Sequence, residues 1–162
     1  MNRSNNGVAM FQGRTQVTRE EFPAPIGKLL GLMLTTEERG RATIEFQASA
    51  RYANPMGMLH GGVLCDIADA AMGAAYHTTL AEGETFTSLG LKINFLRPVR
   101  EANLRAEARV VRVGKVVGFV ECNILDEQEG LVACASSTCM TLRGQHARGR
   151  EVTSGVASNE SR

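Results

Sequence analysis

One long helix-forming segment, residues 61–79, most constrains the fold, because stretches that favour β-strands lie on both sides of it. Its larger aliphatic side chains fill one broad sector at 100° per residue. The opposite sector holds mostly Ala and Gly together with two aspartates, Asp66 and Asp69. A helix with large aliphatics on one side and small residues on the other suits burial against a sheet that curls around it.

The flanking stretches predict antiparallel strands. Before the helix, LMLTTEERGRATIEFQAS predicts a hairpin with its turn at residues 38–40. After it, TFTSLGLKINFLRPV, NLRAEARVVRVGKVVGFVECNILDEQ and GLVACASSTCMTL predict further strands, and apolar and charged residues alternate along NLRAEARVV. With turns at residues 114–115 and 129–130, the second half is predicted to be a β-meander. The fold class is therefore α+β, a long helix wrapped by a curved antiparallel sheet of five or six strands.

The chain is predicted to hold one folded domain, residues 18–143, between polar and flexible tails at 1–17 and 144–162. A net charge of +1 argues against nucleic acid or an anionic membrane as the main partner. No apolar run approaches the roughly 20 residues that span a bilayer. The N-terminus lacks the apolar core of a secretory signal, so a cytoplasmic location is expected.

Several kinds of chemistry lack support in the sequence. The four cysteines form no CxxC pair and are predicted to be reduced core residues, and the three histidines have no metal-ligand spacing. There is no GxSxG elbow, no complete P-loop and no GxGxxG after a strand. No metal and no cofactor are expected.

The helix begins at a His-Gly-Gly, which suggests a site. Unpaired backbone N–H groups and the helix dipole favour negative charge there, and glycine permits close approach to the backbone. The N–H of Gly61 therefore suits the developing oxyanion of a thioester or ester carbonyl. The alternative is that the glycines only form a tight junction between loop and helix.

Asp69 is a second candidate, because a carboxylate in so apolar a segment is costly unless it is paired or used. It would alternatively be a solvated aspartate on an exposed face, which is the preferred interpretation of Asp66 near the helix start. Asp69 lies nine residues beyond His60, roughly 13 Å along the helix. If Gly61 and Asp69 act on one substrate, they must come from two subunits whose helices run antiparallel in a two-fold dimer.

The pattern Asn54-x-x-Gly57-x-Leu59-His60-Gly61-Gly62, followed by Asp69 and Gly73 and by INFLRPV at 93–99, resembles one known family. These are the hotdog-fold acyl-CoA thioesterases of the PaaI-like type, relatives of 4-hydroxybenzoyl-CoA thioesterase. The resemblance covers about residues 25–143. It implies the hotdog fold, which agrees with the helix and strands inferred above, and the hydrolysis of an acyl-CoA thioester.

The resemblance also implies catalytic roles. Gly61 N–H would polarise the thioester carbonyl, and Asp69 of the partner subunit would act as general base or nucleophile. Ser88 matches a position where relatives carry a Ser or Thr that assists the attacking water, and the neighbouring Thr87 is a substitute. Ser88 would alternatively only face a polar pocket.

Four further residues complete the predicted site. Asn54 would position water or the carbonyl, or alternatively only turn the chain. His60 would hydrogen-bond near the thioester, or alternatively serve as a structural turn residue. Arg97 and Lys115 fall near strand ends and would meet the phosphates of CoA, although surface charge is the ordinary explanation.

The sequence therefore predicts an acyl-CoA thioesterase that acts as a homodimer or tetramer. One rival is a non-catalytic acyl-CoA-binding module with the same pocket, which has no use for the carboxylate of Asp69. Another is a hotdog dehydratase or hydratase, but the Asp-x5-His pattern of that branch is absent, since Asn54 precedes His60.

Overall fold

The computed structural model describes residues 20–21 and 24–150, and the predicted tail 1–17 lies outside them. The helices are α1 (Pro25–Leu30) and α2 (Gly61–His77), with 3₁₀ turns at Ala50–Tyr52 and Gly144–His146. The strands are β1 (Glu20–Glu21), β2 (Met33–Glu38), β3 (Arg41–Ala48), β4 (Thr85–Phe95), β5 (Ala102–Val113), β6 (Val117–Leu125) and β7 (Leu131–Leu142). The predicted hairpins and the long helix are confirmed.

All seven strands form one antiparallel sheet in the order β1-β2-β3-β5-β6-β7-β4. Six of them are principal strands, where five or six were predicted, and the two-residue β1 adds a short edge. The predicted meander is correct only for β5, β6 and β7. The strand after the helix, β4, pairs with β7 and not with β5, and it therefore forms the other edge of the described sheet.

Helix α2 is held inside the curve of the sheet, and its buried face carries Leu64, Ile67, Ala68, Ala71, Met72, Ala75 and Tyr76. The alanines let the sheet approach closely, and the last helical turn is anchored by Tyr76. Its hydroxyl group hydrogen-bonds that of Thr141 at 2.8 Å, and its ring packs edge-on against Phe86, with 5.4 Å between centroids. Gly118 on β6 lies against the same ring, where a Cβ atom would stand 2.3 Å from Cε2.

The remaining predictions about the body of the chain have mixed outcomes. All four cysteines are free, but only Cys122 and Cys139 are buried, whereas Cys65 and Cys134 are half-buried. Of the predicted C-terminal tail, residues 144–150 are described, and there the carbonyl of Arg150 accepts a hydrogen bond from Thr85. The rest of that tail lies outside the described residues.

Candidate active site

The start of α2 is built around a capping histidine. His60 is extended, and its Nδ1 accepts a hydrogen bond from the N–H of Gly62 at 2.9 Å, so its ring satisfies one of the free donors of the first turn. The N–H of Gly61 donates to no acceptor among the described residues. This places one free, polarised N–H at the positive end of a 17-residue helix.

An aromatic ring from β4 lies against Gly61. A Cβ atom on residue 61 would lie 2.9 Å from Cζ of Phe95 and 3.3 Å from both Cε atoms. The ring can lie this close to the backbone only because residue 61 is glycine. The absence of a side chain also leaves room for a ligand to approach. Phe95 itself is 55% exposed, so the ring forms one wall of an open site.

The loop before the helix is organised by Asn54. Its Oδ1 accepts hydrogen bonds from the N–H groups of Met56 at 2.9 Å and Met58 at 3.1 Å, which stabilises a turn with Gly57 at φ 75°. The guanidinium of Arg100 donates to the Gly57 carbonyl at 3.3 Å. The side-chain oxygen of Asn54 is thus occupied in the turn. The predicted role of Asn54 in positioning water stays a prediction and would use the other end of its amide.

The second group of candidates lies further along the same helix. The hydroxyl of Ser88 on β4 donates to Oδ1 of Asp69 at 3.2 Å, and both residues are exposed. Thr87 lies between Phe86 and Ser88, both of which face the helix, so its side chain points to the opposite face of the sheet. The structure therefore joins Ser88, and not Thr87, to Asp69.

Strand β4 runs antiparallel to α2, so each candidate on the helix has a neighbour on the strand. Phe86 lies against Gly73, Ser88 against Asp69, and Phe95 against Gly61. Because Gly61 and Asp69 are eight residues apart, about 12 Å separates them along the helix. One chain thus holds two separate groups of candidate residues, called half-sites here, one around the free N–H of Gly61 and one around the carboxylate of Asp69.

Comparisons with known proteins agree with this fold. The family model of the thioesterase superfamily matches residues 56–133. A phenylacetic acid degradation-related protein from Ralstonia eutropha is 30% identical, with 73% of this chain and 91% of that chain covered and a TM-score of 0.68. The chain belongs to the thioesterase superfamily.

Two more relatives specify the branch. The PaaI protein of the Escherichia coli phenylacetic acid degradation operon is 27% identical over 75% of this chain and 86% of that chain, with a TM-score of 0.70. The medium/long-chain acyl-CoA thioesterase YigI of Escherichia coli is 25% identical over 74% of this chain and 86% of the relative. The protein is accordingly a PaaI-like hotdog thioesterase, a thioester hydrolase.

The two cations predicted to meet CoA do not join either half-site of the thioesterase. Arg97 forms an ion pair with Asp126 and donates to the carbonyl of Gly130 at 3.3 Å, which ties the end of β4 to the β6–β7 loop. Lys115 lies exposed in the β5–β6 turn, where its carbonyl accepts a hydrogen bond from Arg143. Their predicted contact with CoA stays a prediction.

Sequence reasoning missed three residues around the half-sites: Phe95, Cys139 and Ser137. Phe95 lies within the INFLRPV motif, but nothing in its spacing shows that its ring covers Gly61. Cys139 was predicted only as a reduced core residue and Ser137 only as part of a strand, and their place beside the half-sites follows from the pairing of β7 with β4. The described ranges contain no cluster of His, Cys, Asp and Glu that could hold a metal ion. They also contain no helix long and apolar enough to cross a bilayer.

Proposed function

We propose that this thioesterase hydrolyses an acyl-CoA to the free acid and CoA at a site shared between two subunits. The N–H of Gly61 polarises the thioester carbonyl. Asp69 of the partner subunit, oriented by the Ser88 hydroxyl, either takes a proton from the attacking water or attacks the carbonyl carbon itself. In the first route the water oxygen bonds to the carbonyl carbon, the C–S bond breaks, and the proton that Asp69 took from water passes to the CoA sulfur. In the second route the Asp69 carboxylate forms an acyl-aspartyl anhydride as the C–S bond breaks, and water then cleaves the anhydride to the free acid, restores Asp69 and supplies the proton that the CoA sulfur takes. No metal or redox cofactor takes part.

The separation of the two half-sites carries this proposal. A base or nucleophile must lie within about 3 Å of its target atom, directly or through one water. The 12 Å or so between Gly61 and Asp69 is far too long for one thioester. A second copy of the helix, running antiparallel beside the first, supplies the missing half to each site.

The free edge of β4 supports such a dimer. It is 11 residues long, pairs only with β7 among the described strands, and has exposed apolar side chains at Leu89, Phe95 and the adjoining Leu96. Long apolar edges of this kind pair readily with another strand. A two-fold axis perpendicular to the sheet near Lys92 would join β4 to its copy and set Ser88 of one subunit opposite Phe95 of the other. Each Asp69 would thereby approach the Gly61 of the other subunit.

Turnover and the role of Asp69 are tested together. Release of CoA is followed with a thiol-reactive dye over a panel of aromatic, medium-chain and branched acyl-CoA substrates and an acyl-carrier-protein thioester. Asp69→Asn is expected to lower kcat by about 10²-fold or more. Asp66→Asn, an exposed carboxylate one turn earlier, is the matched control and should keep wild-type activity. Full activity of Asp69→Asn would refute the mechanism, and a wild type without turnover on the whole panel would refute the function.

Mixed dimers test whether the site is shared. Asp69→Asn and Gly61→Ala subunits are each inactive as homodimers under the proposal. A heterodimer joins the intact Gly61 of one subunit to the intact Asp69 of the other at one of its two sites. Random mixing should therefore restore about a quarter of wild-type activity, since half the dimers are mixed and each has one working site. No recovery in verified heterodimers would show that each site lies within one subunit.

A further inference from the structure

Strand β4 contains a β-bulge in the middle of the proposed site. In its pairing with β7, Ser88 lies opposite Cys139 and Gly90 lies opposite Thr138, with a register shift between them. Leu89 is therefore an extra residue without a partner, and it is 55% exposed. Bulges of this kind re-aim the side chains that follow them and are frequent beside active sites.

The bulge reverses which residues of β4 face the helix. Before it, the even-numbered Phe86 and Ser88 contact α2, as their neighbours Gly73 and Asp69 show. After it, the odd-numbered Leu91 and Ile93 pack on the core, and Phe95 covers Gly61. In a regular strand these two sets would point to opposite faces. One extra residue thus lets β4 serve both half-sites from the same face.

Ser137 holds the strand where it leaves the bulge. It is 2% exposed, and its hydroxyl donates to the carbonyl of Gly90 at 3.0 Å. On β7 its next inward neighbour is Cys139, whose sulfur lies 3.8 Å from the same hydroxyl and in contact with the side chain of Ser88. Burial raises the pKa of the Cys139 thiol, which lies between the two serines on the inner face.

We propose that Ser137 is a positioning residue of the hydrolytic site, which acts by holding the bulge of β4 so that Ser88 meets Asp69. This inference rests on the proposed function, because it assigns a consequence for catalysis to residues that the proposal places in the site. Ser137 itself is buried, so its effect on the site would pass through the strand.

Ser137→Ala removes the hydroxyl and releases the Gly90 carbonyl. It is expected to displace Ser88 and thereby lower kcat about tenfold, with a smaller effect on KM. Displacement of a reacting group by up to about 1 Å is enough to lower the rate by this much. Amide hydrogen exchange at Gly90 and Leu91 should accelerate in the same variant. Ser136→Ala is the matched control, since the adjacent hydroxyl points to the other face of the sheet and should leave kcat and exchange unchanged.

A double-mutant cycle separates positioning from general stability. If Ser137 acts through Ser88, then Ser137→Ala should change kcat by less than about twofold in a Ser88→Ala background. An equal loss in both backgrounds, or wild-type kcat in Ser137→Ala, would overturn the inference and leave the proposed function standing. Absence of turnover by the wild-type enzyme would instead remove the proposed function and this inference with it.

Discussion

Gly61→Ala tests whether the start of α2 is the reaction centre. Gly61 has no left-handed backbone angle, so alanine fits its backbone conformation without strain. The new methyl group would instead stand 2.9 Å from Cζ of Phe95. That ring is 55% exposed and belongs to a side chain near the end of an edge strand, so it has room to swing away. The methyl group or the displaced ring will then occupy the space beside the Gly61 N–H.

The variant should lose activity without losing stability. Full burial of a Phe side chain stabilises a protein by about 1.5–3 kcal/mol, so displacing a ring that is already 55% exposed costs about 1 kcal/mol. Alanine in place of glycine in a helix recovers up to about 1 kcal/mol. The net change in the free energy of unfolding is therefore below about 1 kcal/mol. Loss of one oxyanion donor, in contrast, costs about 10²–10³-fold in kcat.

Urea denaturation measures the free energy of unfolding, and dye-coupled release of CoA measures kcat. Phe95→Ala and the double variant Gly61→Ala/Phe95→Ala show which group blocks the carbonyl. Recovery in the double variant identifies the displaced ring, and continued loss identifies the methyl group. Activity of Gly61→Ala within about threefold of wild type would refute the assignment of this N–H to the oxyanion. A loss of stability above about 2 kcal/mol would refute the inference that the ring yields.

Three other perturbations have clear expectations. Gly118→Ala drives a Cβ atom to 2.3 Å from a buried tyrosine ring and should cost about 1–3 kcal/mol in urea denaturation, whereas Gly90→Ala, with no atom within 4 Å of its new Cβ, should change stability by less than about 1 kcal/mol. The backbone N–H of Gly130, with another loop amide and Arg97, lowers the pKa of Asp126, so this carboxylate stabilises the fold above its unfolded-state pKa. Urea titrations should therefore show Asp126→Asn less stable than wild type at neutral pH, with the difference closing as the pH falls through the folded-state pKa; a constant difference would contradict this. Arg97→Ala should lower stability and leave KM for acyl-CoA unchanged, and a raised KM would instead support its predicted contact with CoA.

The parts of the fold that local signals determine were predicted from the sequence. Apolar periodicity located α2 to within two residues at its C-terminal end, and the predicted turns at residues 38–40, 114–115 and 129–130 all separate strands in the structure. The sequence also identified His60, Gly61 and Asp69 as candidates, because an unpaired N–H at a helix start and a carboxylate in an apolar segment can be recognised from the neighbouring residues alone. Each of these signals lies within a few residues of the feature it predicts.

Strand neighbours were not predictable in the same way. Alternation shows that β4 is a strand, but it does not reveal whether β5 or β7 lies beside it, because pairing is decided by the whole sheet. The bulge at Leu89 has no glycine or proline at that residue to mark it, and a continuous alternation from Phe86 would have pointed Phe95 away from the helix. Arg97 was predicted to meet CoA from its charge and its place near a strand end, and its ion pair with Asp126 could not be foreseen because the two residues are distant in sequence and come close only in the folded sheet.

The bulge and the proposed dimer depend on each other through a simple rule of symmetry. A two-fold axis perpendicular to the sheet keeps the inner face of one subunit continuous with the inner face of the other, so residues that meet across β4 must share a face. Ser88 and Phe95 are seven positions apart, an odd number, so in a regular strand one of them would face outward. The extra residue Leu89 corrects this mismatch, and both then face α2. Under the proposed function, a loss of the bulge would therefore separate the carboxylate of one subunit from the oxyanion donor of the other, even in a dimer that assembles normally.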